Sequence, residues 1–306
     1  MLEKILVPVD GSELSSRILP HVRSLVHGDS REVVIATVVP SSEVPQVPMG
    51  GKPALDLALD VLEKAKTTLS AWGIAAKTRL VVGDPATRIL ELADEIRPSL
   101  IAMSTHGRSG VRRFVRGSVA ERVLRSSPFP VFLVNPHDRR TGERAIKRIL
   151  VPLDLSDLSA EIVPLAAAVA REHGAQLVLL HSLDVVISPD PVIMVSPTVS
   201  REDATAKLEK LAERAEGVPT RVRVALGAPS INILEVAREE DADLVAMTTH
   251  GRSGFSRWAF GSVAEQVLRN CPCPLLVMRT AGRDLEAPLA ESERLAATPA
   301  AGSVAS

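Results

Sequence analysis

The sequence predicts two tandem α/β domains, each a parallel sheet covered by helices on both faces. Three observations carry this expectation. The stretch Ser104-Thr-His-Gly-Arg-Ser-Gly110, followed by Gly117-Ser118-Val-Ala-Glu121, returns 144 residues later as Thr248-Thr-His-Gly-Arg-Ser-Gly254 and Gly261-Ser262-Val-Ala-Glu265; 17 of the 31 positions in 104–134 match their counterparts in 248–278. A repeat of this length decides architecture before any single motif does. The apolar opening Ile5-Leu-Val-Pro-Val-Asp10 recurs at the same offset as Ile149-Leu-Val-Pro-Leu-Asp154. Between these landmarks strand and helix patterns alternate, which implies parallel strands joined by right-handed crossovers.

The elements follow in order. Residues 4–9 are an unbroken apolar run, as a strand buried on both faces requires. Residues 12–27 read as a helix and 32–39 as the second strand. Over 54–72, Leu55, Leu59, Leu62, Leu69 and Trp72 recur at helical spacing. A strand near 76–82, a helix near 86–96, a strand at 99–104, a helix from about 118 and a strand at 130–134 complete the first half, and the second half repeats the series. The proline-rich segment 40–53 and its apolar counterpart 185–200 read as loops, and 136–146 links the halves. The domains are therefore expected at 1–136 and 147–279. Residues 280–306, rich in Ala, Ser and Pro, have no strand pattern and are expected to be disordered.

Composition narrows the function classes. With 36 basic and 37 acidic side chains the net charge is −1, so no general attraction to nucleic acid or anionic lipid is expected. A hydrophobic fraction of 45% with 24% charged residues suits a soluble globular chain. No stretch holds 18 uninterrupted apolar residues, and the N-terminus is too charged for a secretory signal. The two cysteines, Cys271 and Cys273, are separated by one residue, a poor spacing for a disulfide, and lack further ligands at zinc spacing, so they read as structural and suit a reducing cytoplasm.

The duplicated loop suggests an anion site. It follows an apolar strand and precedes a helix, where backbone N–H groups and the helix dipole favour negative charge. Glycines let the backbone approach a phosphate closely, and Arg108, Arg112, Arg113 and Arg116 add positive charge. The plainer alternative is that Ser118-Val-Ala-Glu121 and Ser262-Val-Ala-Glu265 are capping boxes. Asp10 and Asp154 end the first strand of each half. In a doubly wound sheet ligands bind beyond the strand ends where the strand order reverses, and a carboxylate there can accept hydrogen bonds from ribose hydroxyls. Helix capping and turn formation are the structural alternative for Asp10-Gly-Ser12.

With these residues in place the sequence resembles the universal stress protein family in its tandem form, over about 1–135 and 147–279. The family's ATP-binding signature, Gly-x2-Gly-x9-Gly-(Ser/Thr), matches at Gly107, Gly117 and Ser118 and again at Gly251, Gly261 and Ser262, with Ser104 and Thr248 in place of its first glycine. The resemblance implies an α/β fold of two doubly wound domains, each with a five-stranded parallel sheet in order 3-2-1-4-5. It implies that Pro8, Val9, Asp10 and Val38 surround adenine and ribose, while Met103, Ser104, Gly107, Arg108, Gly117, Ser118 and Val119 complete the pocket and hold phosphates. The second-half counterparts are Pro152, Leu153, Asp154, Ser182, Met247, Thr248, Gly251, Arg252, Gly261, Ser262 and Val263. It further implies ATP, with Mg2+, as cofactor. Pairing of Val131–Val134 with Leu275–Met278 would make an intramolecular pseudo-dimer, and a further homodimer is the other association it allows.

The expected function is that of an ATP-binding, nucleotide-dependent regulatory protein of stress response. The arginine-rich first loop makes the N-terminal site the expected tighter one. A nucleotide-free interaction module with the same fold is the alternative. Enzyme readings fare worse. There is no Gly-x4-Gly-Lys-(Ser/Thr) loop, and Gly107-Arg-Ser-Gly110 is one residue short of a nucleophile elbow. A response regulator would want an acidic pair after the first strand and a phospho-acceptor aspartate after the third, but one aspartate follows the first strand and Gly83-Asp84-Pro85 follows the third without an acidic pair upstream. His106 and His250 read as loop-structuring. Slow ATP hydrolysis is the most the chain is expected to catalyse, since no general base stands out.

Overall fold

Each half begins with a strand whose parallel neighbours on both sides bury it, and the rest of the fold follows from that placement. The computed structural model describes residues 3–26, 31–44, 52–105, 119–136, 138, 145–183, 185–187, 193–195, 199–249 and 261–279. The first half runs β1 (Lys4–Pro8), α1 (Glu13–Ser16), α2 (Ile18–Leu25), β2 (Glu32–Val39), α3 (Ala54–Ala71), β3 (Ala76–Val82), α4 (Pro85–Ile96), β4 (Leu100–Ser104), α5 (Val119–Ser126) and β5 (Val131–Val134). The second half runs β6 (Arg148–Pro152), α6 (Asp157–Ala160), α7 (Ile162–His173), β7 (Gln176–Leu183), β8 (Val185–Ile187), β9 (Ile193–Val195), α8 (Arg201–Ala212), β10 (Thr220–Leu226), α9 (Pro229–Glu239), β11 (Leu244–Thr248), α10 (Ser262–Asn270) and β12 (Leu275–Met278).

Ten strands form one sheet in the order β10-β7-β6-β11-β12-β5-β4-β1-β2-β3. Each half contributes the expected third-second-first-fourth-fifth order, all parallel, and the halves join where β12 pairs antiparallel with β5, Leu276 opposite Phe132. Two apolar layers cover the sheet, and each spans both halves. One is built on α2, α3 and α7, with Ile18, Leu69, Ile162 and Phe132; the other lies under α4, α5, α9 and α10, with Ile89, Val123, Val236 and Val267. The outer strands β3 and β10 expose Lys77 and Arg79, and Arg221, on alternate positions. Charge on an open edge discourages further strand pairing.

Two local features depart from the sequence reading. The single helix expected at 12–27 is broken at Arg17, and its counterpart is broken at Glu161. Pro20 and Pro164 supply the reason: a proline removes the N–H that would bond the carbonyl four residues back, and its ring crowds that carbonyl. The segment 185–200, read as a loop, contains the antiparallel hairpin β8–β9 with Val186 opposite Met194.

The junction between the halves is folded rather than extended. After β5, the Asn135 side chain donates to the Cys271 carbonyl across the seam (2.8 Å) and accepts from the Asp138 N–H (3.0 Å). Asp138 is buried and pairs with the buried His21 of α2 (3.2 Å). A second cross-half contact is the ion pair of Arg31 with Glu172 at the end of α7. Its arginine side chain is nearly inaccessible, and burial pulls the guanidinium pKa below its ordinary value. The tail 280–306 lies outside the described residues.

Candidate functional site

The candidate site is set by the neighbourhood of the first and fourth strands. β1 lies between β2 and β4, with Leu6 opposite Ile101; β6 lies between β7 and β11, with Leu150 opposite Val245. The chain crosses to one side for the second and third strands and to the other for the fourth and fifth. The carboxyl ends of the first and fourth strands thus flank the point where winding reverses, where crevices form in such sheets.

Most of the sequence-assigned residues that fall within the described chain gather at these ends. Pro8 closes β1, and buried Val9 donates its N–H to Ala36 (2.8 Å), carrying Asp10 to the rim. Met103 and Ser104 end β4 and are buried. Half-buried Val38 and Val119 both pack on the layer beneath α4 and α5. In the second half Pro152 ends β6 and is followed by buried Leu153 and half-exposed Asp154; Met247 and Thr248 end β11; Ser182 is the penultimate residue of β7. Gly261, Ser262 and Val263 form the start of α10. Gly107, Arg108, Gly117, Ser118, Gly251 and Arg252, with His106 and His250, lie outside the described residues.

The aspartates do build turns. Asp10 Oδ1 accepts the Ser12 N–H at 2.9 Å, and Asp154 Oδ1 accepts both the N–H (3.0 Å) and the hydroxyl (2.6 Å) of Ser156. Ser12 and Ser156 in turn cap α1 and α6. The capping-box reading of the loop serine is corrected in the second half. The N-cap of α10 is Gly261, which has no side chain to offer; Ser262 is already helical and exposed. Glu265 turns instead to Arg269 one turn on (2.5 Å), and Glu121 likewise pairs with Arg125. Among the described residues, an added Cβ at Gly261 would meet the Thr249 carbonyl at 3.8 Å, and its φ of −58° is ordinary.

Several contributors escape sequence reasoning. Thr105 and Thr249 each extend the fourth strand by one bond to the fifth, through N–H donors to Val134 (2.9 Å) and Met278 (3.1 Å). His181, buried in β7, donates from Nδ1 to the Leu153 carbonyl (2.8 Å) and so braces the backbone just before Asp154. Its counterpart in β2 is Thr37, whose buried hydroxyl has no hydrogen-bond partner among the described residues. Ser182 accepts from Asn232 Nδ2 (3.2 Å), where the first half has Val38. In the first half Asp84 caps α4 through the Thr87 N–H and forms a two-pronged bond to Arg122 of α5 (2.6 and 2.8 Å). That guanidinium holds the Asp84 carboxyl well below the usual carboxylate range. The second half replaces this link with Ser230 bonded to Gln266 (2.5 Å). The two sites therefore share a scaffold and differ at its rim. Among the described residues no cluster of three or more His, Cys, Asp or Glu could hold a metal ion, and no helix is long and apolar enough to cross a membrane.

Comparison with known proteins agrees with the fold. The model of the Universal stress protein family matches residues 1–135 and 145–279. A universal stress protein of Methanocaldococcus jannaschii is 35% identical over 149 residues, which are 46% of this chain and 86% of that protein. One from Mycobacterium tuberculosis (strain CDC 1551 / Oshkosh) is 28% identical over 269 residues, 84% of this chain and 86% of its own. Among solved structures, a universal stress protein from Archaeoglobus fulgidus DSM 4304 superposes with a TM-score of 0.71 at 24% identity, covering 93% of this chain and 98% of that one. That likeness is one of fold.

Proposed function

Because the chain belongs to the universal stress protein family and carries its domain twice, we propose that it is an ATP-binding regulatory protein rather than an enzyme. Each half would hold one adenine nucleotide at the reversal point of its sheet. The observation that carries this reading is the duplicated placement of an aspartate after the first strand and a hydroxyl residue ending the neighbouring fourth strand, Asp10 and Ser104 in one half and Asp154 and Thr248 in the other, with the two strands in the same parallel register in both halves. A carboxylate there suits ribose hydroxyls. Ser262, not committed to capping, and the first-turn N–H groups of α10 suit phosphate. Mg2+ would travel with the nucleotide phosphates, since no protein cage for it is in view among the described residues. Occupancy would be read by a partner protein, with the joined halves acting as an intramolecular dimer in the cytoplasm.

The N-terminal site would be the tighter, since Arg108, Arg112, Arg113 and Arg116 crowd its loop while the second loop has Arg252 and Arg257. Purified protein, denatured and analysed by chromatography, should release adenine nucleotide. Calorimetry with ATP and Mg2+ should lose most of its signal in Asp10→Ala and less in Asp154→Ala. Equal losses would remove the asymmetry. A second reading, a module that binds no nucleotide, is favoured by the engagement of Asp10 and Asp154 in their own turns. It predicts no released nucleotide and no thermal shift, whereas binding gives about 2.7 kcal/mol of stabilisation at a hundredfold excess over Kd.

A further inference from the structure

The turn that joins the last helix to the last strand is closed differently in the two halves. In the first half Ser127 follows α5, and its hydroxyl donates to the Phe129 carbonyl (2.8 Å) and accepts the Phe129 N–H (3.0 Å). In the second half the same two places hold Cys271 and Cys273, and the turn is closed by their sulfurs, 3.7 Å apart. Both residues are fully buried thiols in the apolar layer beneath α9 and α10. Cys271 is the C-cap of α10, donating its N–H to Val267 (2.9 Å), and its carbonyl receives the cross-seam bond from Asn135. The intervening Pro272 and the following Pro274 hold the turn stiffly, so the two thiols are kept facing one another at little further entropic cost.

We propose that Cys271 and Cys273 are a redox-active dithiol that closes to a local disulfide on exposure to peroxide. One thiolate attacks a peroxide oxygen; the O–O bond breaks, the sulfur becomes a sulfenic acid, and the departing hydroxide takes up a proton to leave as water. The second thiolate then attacks that sulfur, the S–S bond forms, and the sulfenic oxygen leaves as a second water with the remaining proton. Two thiols and one hydrogen peroxide give one disulfide and two waters, with two electrons passing from sulfur to oxygen. A disulfide has its sulfurs about 2.05 Å apart, so they must approach by less than ~2 Å. Access is through opening of the turn. Opening breaks the Cys271 N–H bond to Val267 and the Asn135 bond to the Cys271 carbonyl. The device belongs to the second half alone, and it fastens the end of the helix that begins at Ser262. It stands independently of nucleotide binding.

The two thiols are the only cysteines in the chain, which makes the test direct. The reduced full-length protein is treated with hydrogen peroxide, denatured, alkylated and weighed intact. The expected product is a monomer on a non-reducing gel, lighter than the reduced chain by about 2 Da, with neither cysteine alkylated until a reductant is added. Cys271→Ser, which copies the first half, and Cys273→Ser should each abolish that product. The proposal is overturned if both thiols of the native protein remain open to alkylation under conditions that oxidise the unfolded chain. It is equally overturned if the products are sulfinic acids or disulfide-linked dimers.

Discussion

Gly11 forms the turn after Asp10 with a φ of +81°, and a Cβ added there would sit 2.4 Å from Val61 Cγ2 of α3. Both facts require glycine: the backbone is left-handed and the space is taken. The second half puts Leu155 in the same place with φ +67°, a conformation costing about 1–2 kcal/mol for a side chain of that kind, and packs that leucine against the core in partial return. Gly11→Ala should therefore destabilise the protein by about 2 kcal/mol in urea melts. Adding Val61→Ala should relieve the clash but not the backbone strain. At Gly261, by contrast, alanine should leave the melting curve within about 0.5 kcal/mol of the parent and act only on ligand binding, as read by calorimetry. The residue pattern made Asp10 and Asp154 legible as rim residues. It could not reveal His181 as the brace of Leu153, because a histidine inside a strand otherwise apolar looks the same whether it faces core or backbone. Nor could it show that Ser262 falls one place inside its helix, since capping and first-turn positions favour similar residues.

At the level of elements, the α4–α5 link is the clearest case of one half solving a problem its twin solves otherwise. Asp84 caps α4 and grips Arg122, and its carboxyl is held ionised by that guanidinium. A group whose folded pKa is depressed stabilises above its unfolded pKa, about 3.9 for aspartate, and loses that contribution as pH falls below it. The pair is roughly half exposed, so its contribution is at most ~1 kcal/mol after solvent screening. Asp84→Asn should lower stability by about that amount at pH 7. The gap to the parent should narrow steadily below pH ~4, as followed by denaturant midpoints across pH. Strands and helices were legible as alternating patterns because each strand is either wholly buried or edge-exposed. The break at Arg17 is masked in the sequence, despite Pro20, because the apolar spacing of Ile18, Val22 and Leu25 runs through that proline. The hairpin β8–β9 was hidden by prolines, which argue for a loop and sit between its strands.

The whole molecule depends on contacts between residues far apart in sequence, and these left no periodic trace. Arg31 and Glu172 are the sharpest example. Burial of the arginine makes its partner indispensable: Glu172→Ala should cost about 3 kcal/mol by leaving an uncompensated buried cation. A double replacement, Arg31→Met with Glu172→Leu, should recover most of that loss. Equal destabilisation of single and double variants in equilibrium unfolding would show that the pair holds no buried charge together. The strand order within each half was accessible from the family resemblance, and the union of β5 with β12 followed from the same source; neither was written in composition or spacing. That union sets direction as well as adjacency. Since β5 and β12 run antiparallel, the five sheet strands of one half point opposite to the five of the other, and the two reversal points lie at opposite margins of the ten-stranded sheet. A docking protein resting on one margin would meet one reversal point only, so if each half holds a ligand as proposed, the two sites would face separate neighbours.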